Sequence, residues 1–287
     1  MDEQRRTGLP GTAAWIGWRL REDGPRALLA RGVHKTAGLL RATAGHVGDV
    51  FRYGSVAPGI GDVVWVDPAE IEYVLVPSLL DLYPVSRLVP VVLDGDWDRA
   101  PIDDGQWFTN DAEPPPVRRP LSEYALQQAI RRHFTEDVPW EETEWYRWIA
   151  SQNGALEAGR IYADVETMDR YLDRLDRLYH DIEADGYRSQ TELHGSGIGR
   201  TLHEITVAIG RDGRFIKSIG GRHRLAVATV LDVEAVPVRV WARHERWQRA
   251  RSAATRGDRE SAVALTGRSW EDLRSHPDIP CRQEEAE

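Results

Sequence analysis

Apolar residues recur every three or four positions through 166–185: Met168, Tyr171, Leu172, Leu175, Leu178, Tyr179 and Ile182. That stripe predicts an amphipathic helix, with Asp and Arg alternating on its solvated face. Gly186 stands where helices commonly end in a left-handed residue. Beyond it the period shortens. Residues 205–209 and 214–219 read as strands joined by Gly210-Arg211-Asp212-Gly213, a hairpin turn. Gly220-Gly221 breaks the second strand. Residues 222–231 read as a helix packing through Leu225, Ala226, Ala228 and Thr229, and 236–241 as the last strand. Strand, helix and strand of these lengths imply a right-handed crossover.

Elsewhere the pattern is coarser. Residues 27–47 predict a helix through Leu28, Leu29, Leu39 and Leu40, weakened by Gly32 and Gly38. Residues 61–66 predict a strand, turned by Asp67-Pro68 with Asp67 as cap. Residues 94–120 read as loop, with Pro114-Pro115-Pro116. Helical patterns resume at 120–134 and 140–152, where Trp140, Trp145 and Trp148 are packing anchors. Two short helices follow Arg246, the second capped by Ser269 with Asp272. The fold class is α+β with a mixed sheet.

Composition narrows the function classes. The chain has 287 residues, 41% hydrophobic and 29% charged, a globular balance for one large or two modest domains. Its formal net charge is -9, which argues against non-specific nucleic-acid binding. Lys35 and Lys217 are the only lysines. Cys281 is the one cysteine, so disulfide frames and cysteine-based zinc sites are excluded. The apolar stretch 73–93 carries Asp81, Arg87 and three prolines and cannot span a bilayer as a clean helix. A soluble cytoplasmic protein is expected.

The segment that carries chemistry is Ile219-Gly220-Gly221-Arg222-His223-Arg224. Paired glycines let the backbone approach a ligand without a Cβ. The N–H groups of the helix that starts there favour an anion. Arg222 and Arg224 add forked donors suited to phosphate oxygens, and His223 a donor that titrates near neutrality. The competing reading is a plain strand–helix turn with solvated arginines. Asp94, Asp96 and Asp98 alternate like the start of a calcium loop, but Arg99 and Gly105 stand where its glycine and glutamate belong. Mg²⁺ shared with nucleotide phosphates is one reading and an aspartate-rich turn the other. His244, Arg188, Arg239 and Arg243 are candidates for the same pocket or for its rim. No histidine pair has metal-binding spacing.

Three pieces in order resemble the ParB/sulfiredoxin superfamily, across residues 169–243. They are the helix that ends in Gly186 and leads to Gln190, the hairpin followed by Gly221-Arg222-His223-Arg224-Leu225-Ala226, and the exit Leu231-Asp232-Val233-Glu234-Ala235-Val236-Pro237-Val238. The resemblance implies a ParB/sulfiredoxin-like mixed sheet with a hairpin and crossover helix. It implies a nucleotide-phosphate pocket, for ATP, ADP or CTP with or without Mg²⁺, bound by Gly220, Gly221, Arg222, His223, Arg224 and Gln190. Members of that family bind CTP and DNA, repair sulfinic acids through a cysteine, or phosphorylate small molecules with a glutamate base. Arg222 stands at the cysteine position, against sulfinic-acid repair. Gly220 stands where kinase-like members often carry an acid.

The family's first strand resembles Val64-Trp65-Val66-Asp67-Pro68-Ala69-Glu70, which makes Glu70 the candidate general base, with His223 as its catalytic partner. A helix-start salt bridge is the other reading of Glu70. Glu204 and Glu192 are lesser candidates. The implied organisation is an arm and helix at 1–60, a first strand plus helical insertion at 61–165, the ParB/sulfiredoxin-like core at 166–246, and a helical appendage with a tail at 247–287. The expected function is a phosphotransferase or phosphohydrolase acting on a small molecule. The alternative is a non-catalytic nucleotide sensor or DNA-binding regulator using the arginines of 243–256.

Overall fold

The computed structural model describes residue 40 and residues 42–76, 88–99, 117–151 and 165–280. In chain order the strands are β1 (Val63–Val66), β2 (Tyr73–Val76), β3 (Val91–Leu93), β4 (Val117–Pro120), β5 (Ile205–Ile209), β6 (Phe215–Lys217) and β7 (Val236–His244). The helices are α1 (42–53), α2 (Ala125–Glu136), α3 (Glu144–Ser151), α4 (Val165–Asp185), α5 (Gln190–His194), α6 (Ile198–Thr201), α7 (Arg222–Val230), α8 (Glu245–Thr255), α9 (Arg259–Thr266) and α10 (Trp270–Ser275).

All seven strands form one mixed sheet: six follow the order β1-β7-β5-β6-β2-β4, and β3 pairs with β7 off that path. β7 is the spine. It is buried along its whole length, as a strand covered on both faces must be. β5 runs parallel along one edge of it. The other edge is shared: β1 pairs antiparallel with Val236–Arg239 and β3 parallel with Ala242–His244. β5 and β6 form the hairpin, β6 runs parallel to β2, and α7 carries the chain from β6 to β7.

The pleat sorts side chains onto two faces. Ile205, Val207 and Ile209 join Val236, Val238 and Val240 under α7 and the C-terminal helices. Ala208, Ile216, Trp241 and Ala242 face the opposite side with Trp97 and Ala42 of α1. α7 is sandwiched: Leu225 and Ala228 face the sheet, while Ala226 and Val227 join a second cluster with α2, α3 and α4. That cluster contains Met168, Tyr171, Leu172, Leu175 and Ile182, the predicted stripe, together with Trp140 and Trp145.

The long helix, hairpin, glycine break, α7 and last strand lie where the pattern put them, and Gly186 does end α4 with a left-handed φ of 75°. Three expectations change. The segment expected to be a helical insertion also supplies β3 and β4, and β2 lies at its start. Exposed strand edges leave N–H and C=O groups unpaired, and the short apolar runs at 73–76 and 91–93 satisfy them. β7 continues to His244, three residues beyond the expected end. The first helix, expected at 27–47, continues to Tyr53 in its described part; residues 1–39, and the tail from Cys281 on, lie outside the described residues. No described helix is long and apolar enough to cross a membrane.

Candidate functional site

The glycine turn sits where β6 meets α7. Gly220 and Gly221 both have left-handed backbones, with φ of 73° and 75°. A Cβ on Gly221 would lie 2.7 Å from Cα of Ile205. Only glycine therefore allows this close approach to β5. Gly221 is the N-cap of α7 and offers no side-chain acceptor. The first intrahelical bond runs from Leu225 N–H to the Gly221 carbonyl at 3.0 Å. The first-turn N–H groups and the positive end of the helix dipole are thus presented at the turn.

Behind the turn lies a residue the sequence reading did not single out. Lys217 is 2% exposed. Its Nζ donates to the carbonyls of Ser218 and, at 3.4 Å, Thr206. Among the described residues no carboxylate pairs with it. Burial pushes its pKa down to about 7, and Arg222 and Arg224 push the same way. Oγ of neighbouring Ser218 is buried and without a hydrogen-bond partner. A signal existed in the sequence: one of two lysines in an arginine-rich chain stands inside the apolar run Phe215-Ile216-Lys217-Ser218-Ile219. What hid it was that burial of that strand face depends on distant chain.

Arg224 donates to the His203 carbonyl and to Tyr187 Oη at 3.5 Å, and pairs with Glu204 at 3.5 Å. Glu204 is buried, and its other oxygen accepts from Gln190 N–H at 2.6 Å. Burial raises the Glu204 pKa, against the opposing pull of Gln190 N–H and Arg224. Burial likewise raises Tyr187 to about 12. Gln190 therefore reaches the cluster through its backbone. His223 Nε2 meets Tyr171 Oη. Desolvation, then Arg222, Arg224 and Lys217, push its pKa down to about 3. His223 is thus a neutral group at pH 7, in place of the near-neutral titration expected from its type. It ties α4 to the turn.

The other candidates lie elsewhere. Glu70 is exposed in the 3-10 turn Pro68–Glu70, which packs against α7 and is capped by Asp67 accepting from Ala69 N–H at 2.7 Å. Burial, then Asp67, raises the Glu70 pKa, and Arg268 opposes them. None of Lys217, Arg222, His223 and Arg224 is among its charged neighbours. Glu192 closes the capping box on Ser189. Asp96 and Asp98 both accept from Arg211, each at 2.7 Å, so a guanidinium takes the place of a metal ion between them. No group of three metal-ligating side chains occurs among the described residues.

The remaining basic residues are engaged with backbone carbonyls, carboxylates or a hydroxyl. His244 lies at the far end of β7, bonded to the Gly95 carbonyl at 2.9 Å, and caps α8. Arg243 pairs with Asp278 and with Asp62. Arg239 donates to the carbonyls of Ile60 and Leu88, and Arg188 pairs on the surface with Asp185. Arg251 is buried on the Asp278 and Val56 carbonyls, Arg246 bonds to Ala264 and Leu265, and Arg256 bonds to Ser252. The arginines of 243–256 accordingly do not form one free basic face.

The turn thus gathers cations, helix N–H groups and a neutral imidazole, with Glu204 as its one described carboxylate. Compared with protein-family models, with curated proteins and with solved structures, the chain matches none.

Proposed function

We propose that the turn at Gly220–Gly221 binds the phosphates of a nucleotide, and that the protein is a phosphotransferase or phosphohydrolase acting on a small molecule. One observation carries this reading. A fully buried lysine with no carboxylate partner among the described residues lies beside Arg222 and Arg224 at the start of a helix whose cap is a bare glycine. Buried cations are ordinarily paired; an anion arriving here supplies the missing partner. The unpartnered Ser218 Oγ is a further donor. Catalysis in such a site consists of positioning and charge neutralisation.

The resemblance to the ParB/sulfiredoxin superfamily supports the same reading. Hairpin, glycine turn, helix and a return strand parallel to β5 follow in the order it implies. Its nearest type is the kinase-like members. A non-catalytic nucleotide sensor is the second reading. It is favoured by Glu204, whose oxygens are already held by Gln190 N–H and Arg224.

Calorimetry with ATP, ADP and CTP, wild type against Arg224→Ala, tests the binding claim. The expected result is measurable heat in the wild type and at least tenfold weaker binding in the variant, the order of one charge-assisted hydrogen bond. No heat from any nucleotide sinks the reading. Nucleotide turnover with and without Mg²⁺ separates the enzyme from the sensor.

A further inference from the structure

An ammonium group closed off from water needs either a counter-ion or the loss of its proton. Lys217 has two carbonyl acceptors for its three possible N–H donors. The groups that face it from α7 are Arg222, His223 and Arg224. Two of these repel a further positive charge, and the third is neutral. From β5 it meets Val207 in register and the Thr206 carbonyl. Glu204, just before β5, turns its carboxylate to Arg224 and Gln190. From β2 it meets Val74. Every charged neighbour among the described residues therefore disfavours the ammonium, and only the two carbonyls favour it.

An anion at the helix start reverses that balance. Resting on the anion-binding reading above, we propose that Lys217 takes up a proton as the phosphate-bearing ligand binds, so that ligand and proton load the site together. The balance is one neutral amine, one proton and one anionic ligand giving an ammonium–phosphate pair, with no bond to carbon or phosphorus made or broken. The consequence is regulatory: the site fills readily in mildly acidic conditions and empties as pH rises. The burial of Lys217 agrees in sign with its pKa of about 7 in the free protein. Below that value the lysine is already protonated and the affinity is level. Above it, each pH unit weakens binding by about tenfold until the proton is lost from the complex as well.

Calorimetry with ATP at pH 8 and pH 9, each in two buffers of different ionisation enthalpy, counts the protons directly. At these pH values the ligand's own phosphates are fully ionised, since their last pKa is about 6. The wild type is expected to take up close to one proton per ATP, with affinity falling about tenfold between the two. In Lys217→Met, similar in length and without the charge, the uptake and the pH slope both vanish, and unchanged circular dichroism shows that the variant is folded. ATP binding without proton uptake overturns the inference and leaves the binding reading standing. Uptake that survives in Lys217→Met also overturns it and moves the proton to another group of the cluster, His223 or Glu204. No binding of ATP, ADP or CTP at any pH from 6 to 9 overturns the binding reading, and the inference with it.

Discussion

The two ends of the central sheet treat buried cations in opposite ways. At the hairpin end each large cation has an acid. Asp278 is held by Arg243, Arg251 and Trp247 Nε1, and Asp98 by both the side chain and the backbone of Arg211. At the glycine-turn end Lys217 is equally buried and has carbonyls alone. Desolvation is the same cost in both places. What differs is the compensation among the described residues: structural ion pairs at one end, and backbone carbonyls alone at the other.

The largest test of this contrast is Asp278→Asn. It keeps the shape but leaves buried Arg251 without a carboxylate and Arg243 with Asp62 alone, and is expected to cost about 3 kcal/mol in denaturant unfolding. A loss below about 1 kcal/mol would mean that the network contributes little. The pH dependence follows the same logic. Burial works to raise the Asp278 pKa, but Arg243, Arg251 and Trp247 together outweigh it and hold the carboxyl below its ordinary range. Asp98 is likewise lowered, with burial opposed by Arg211. A lowered folded value means full stability above the unfolded carboxylate pKa of about 4, and progressive loss as pH falls beneath it.

Lys217→Met should have the opposite sign. Removing an unpaired buried ammonium is expected to stabilise the free protein by about 1–4 kcal/mol at neutral pH or below, while phosphate binding weakens and loses its pH slope. Between about pH 7 and the ordinary lysine range the unfolded chain holds a proton that the folded one has lost. Wild-type stability therefore rises with pH across that window, and the advantage of the variant shrinks. A variant less stable than wild type would show that Lys217 is a packing residue, and would erase the distinction between the two ends.

The division between what was readable in the sequence and what was not follows the range of the interactions. α4, the hairpin and the start of α7 are set by period and by glycine within a few residues, so they stand in the sequence. β3 is three residues long and exists by pairing with Ala242–His244; three residues carry no measurable period. Asp98 suggested a cation site because its partner, Arg211, lies 113 residues away. Asp278 joins β7 and α8 to the end of the chain in the same non-local way. In the site, Gly220, Gly221, Arg222 and Arg224 were visible as a local motif. The neutrality of His223 depends on desolvation beside Tyr171, and the role of Lys217 on a strand face whose burial no local pattern reveals.

The smallest effect expected is that of Glu70→Gln, and it tests where the site ends. Glu70 is exposed and answers to Asp67 and Arg268, so neutralising it should change stability by no more than about 0.5 kcal/mol. Nucleotide affinity measured by calorimetry should stay within about twofold of wild type, because Glu70 is not among the charged neighbours of the turn's cations. Turnover is the sharper measurement. If a carboxylate acts as base, Glu204 stands at the cluster and Glu70 does not, so Glu70→Gln should leave any nucleotide turnover intact. A loss of turnover in Glu70→Gln with binding preserved would instead require the turn at Pro68–Glu70, which packs on α7, to deliver its carboxylate to the bound phosphate. The functional surface would then extend from the glycine turn across α7, and the contrast between the two ends would have to be redrawn around both.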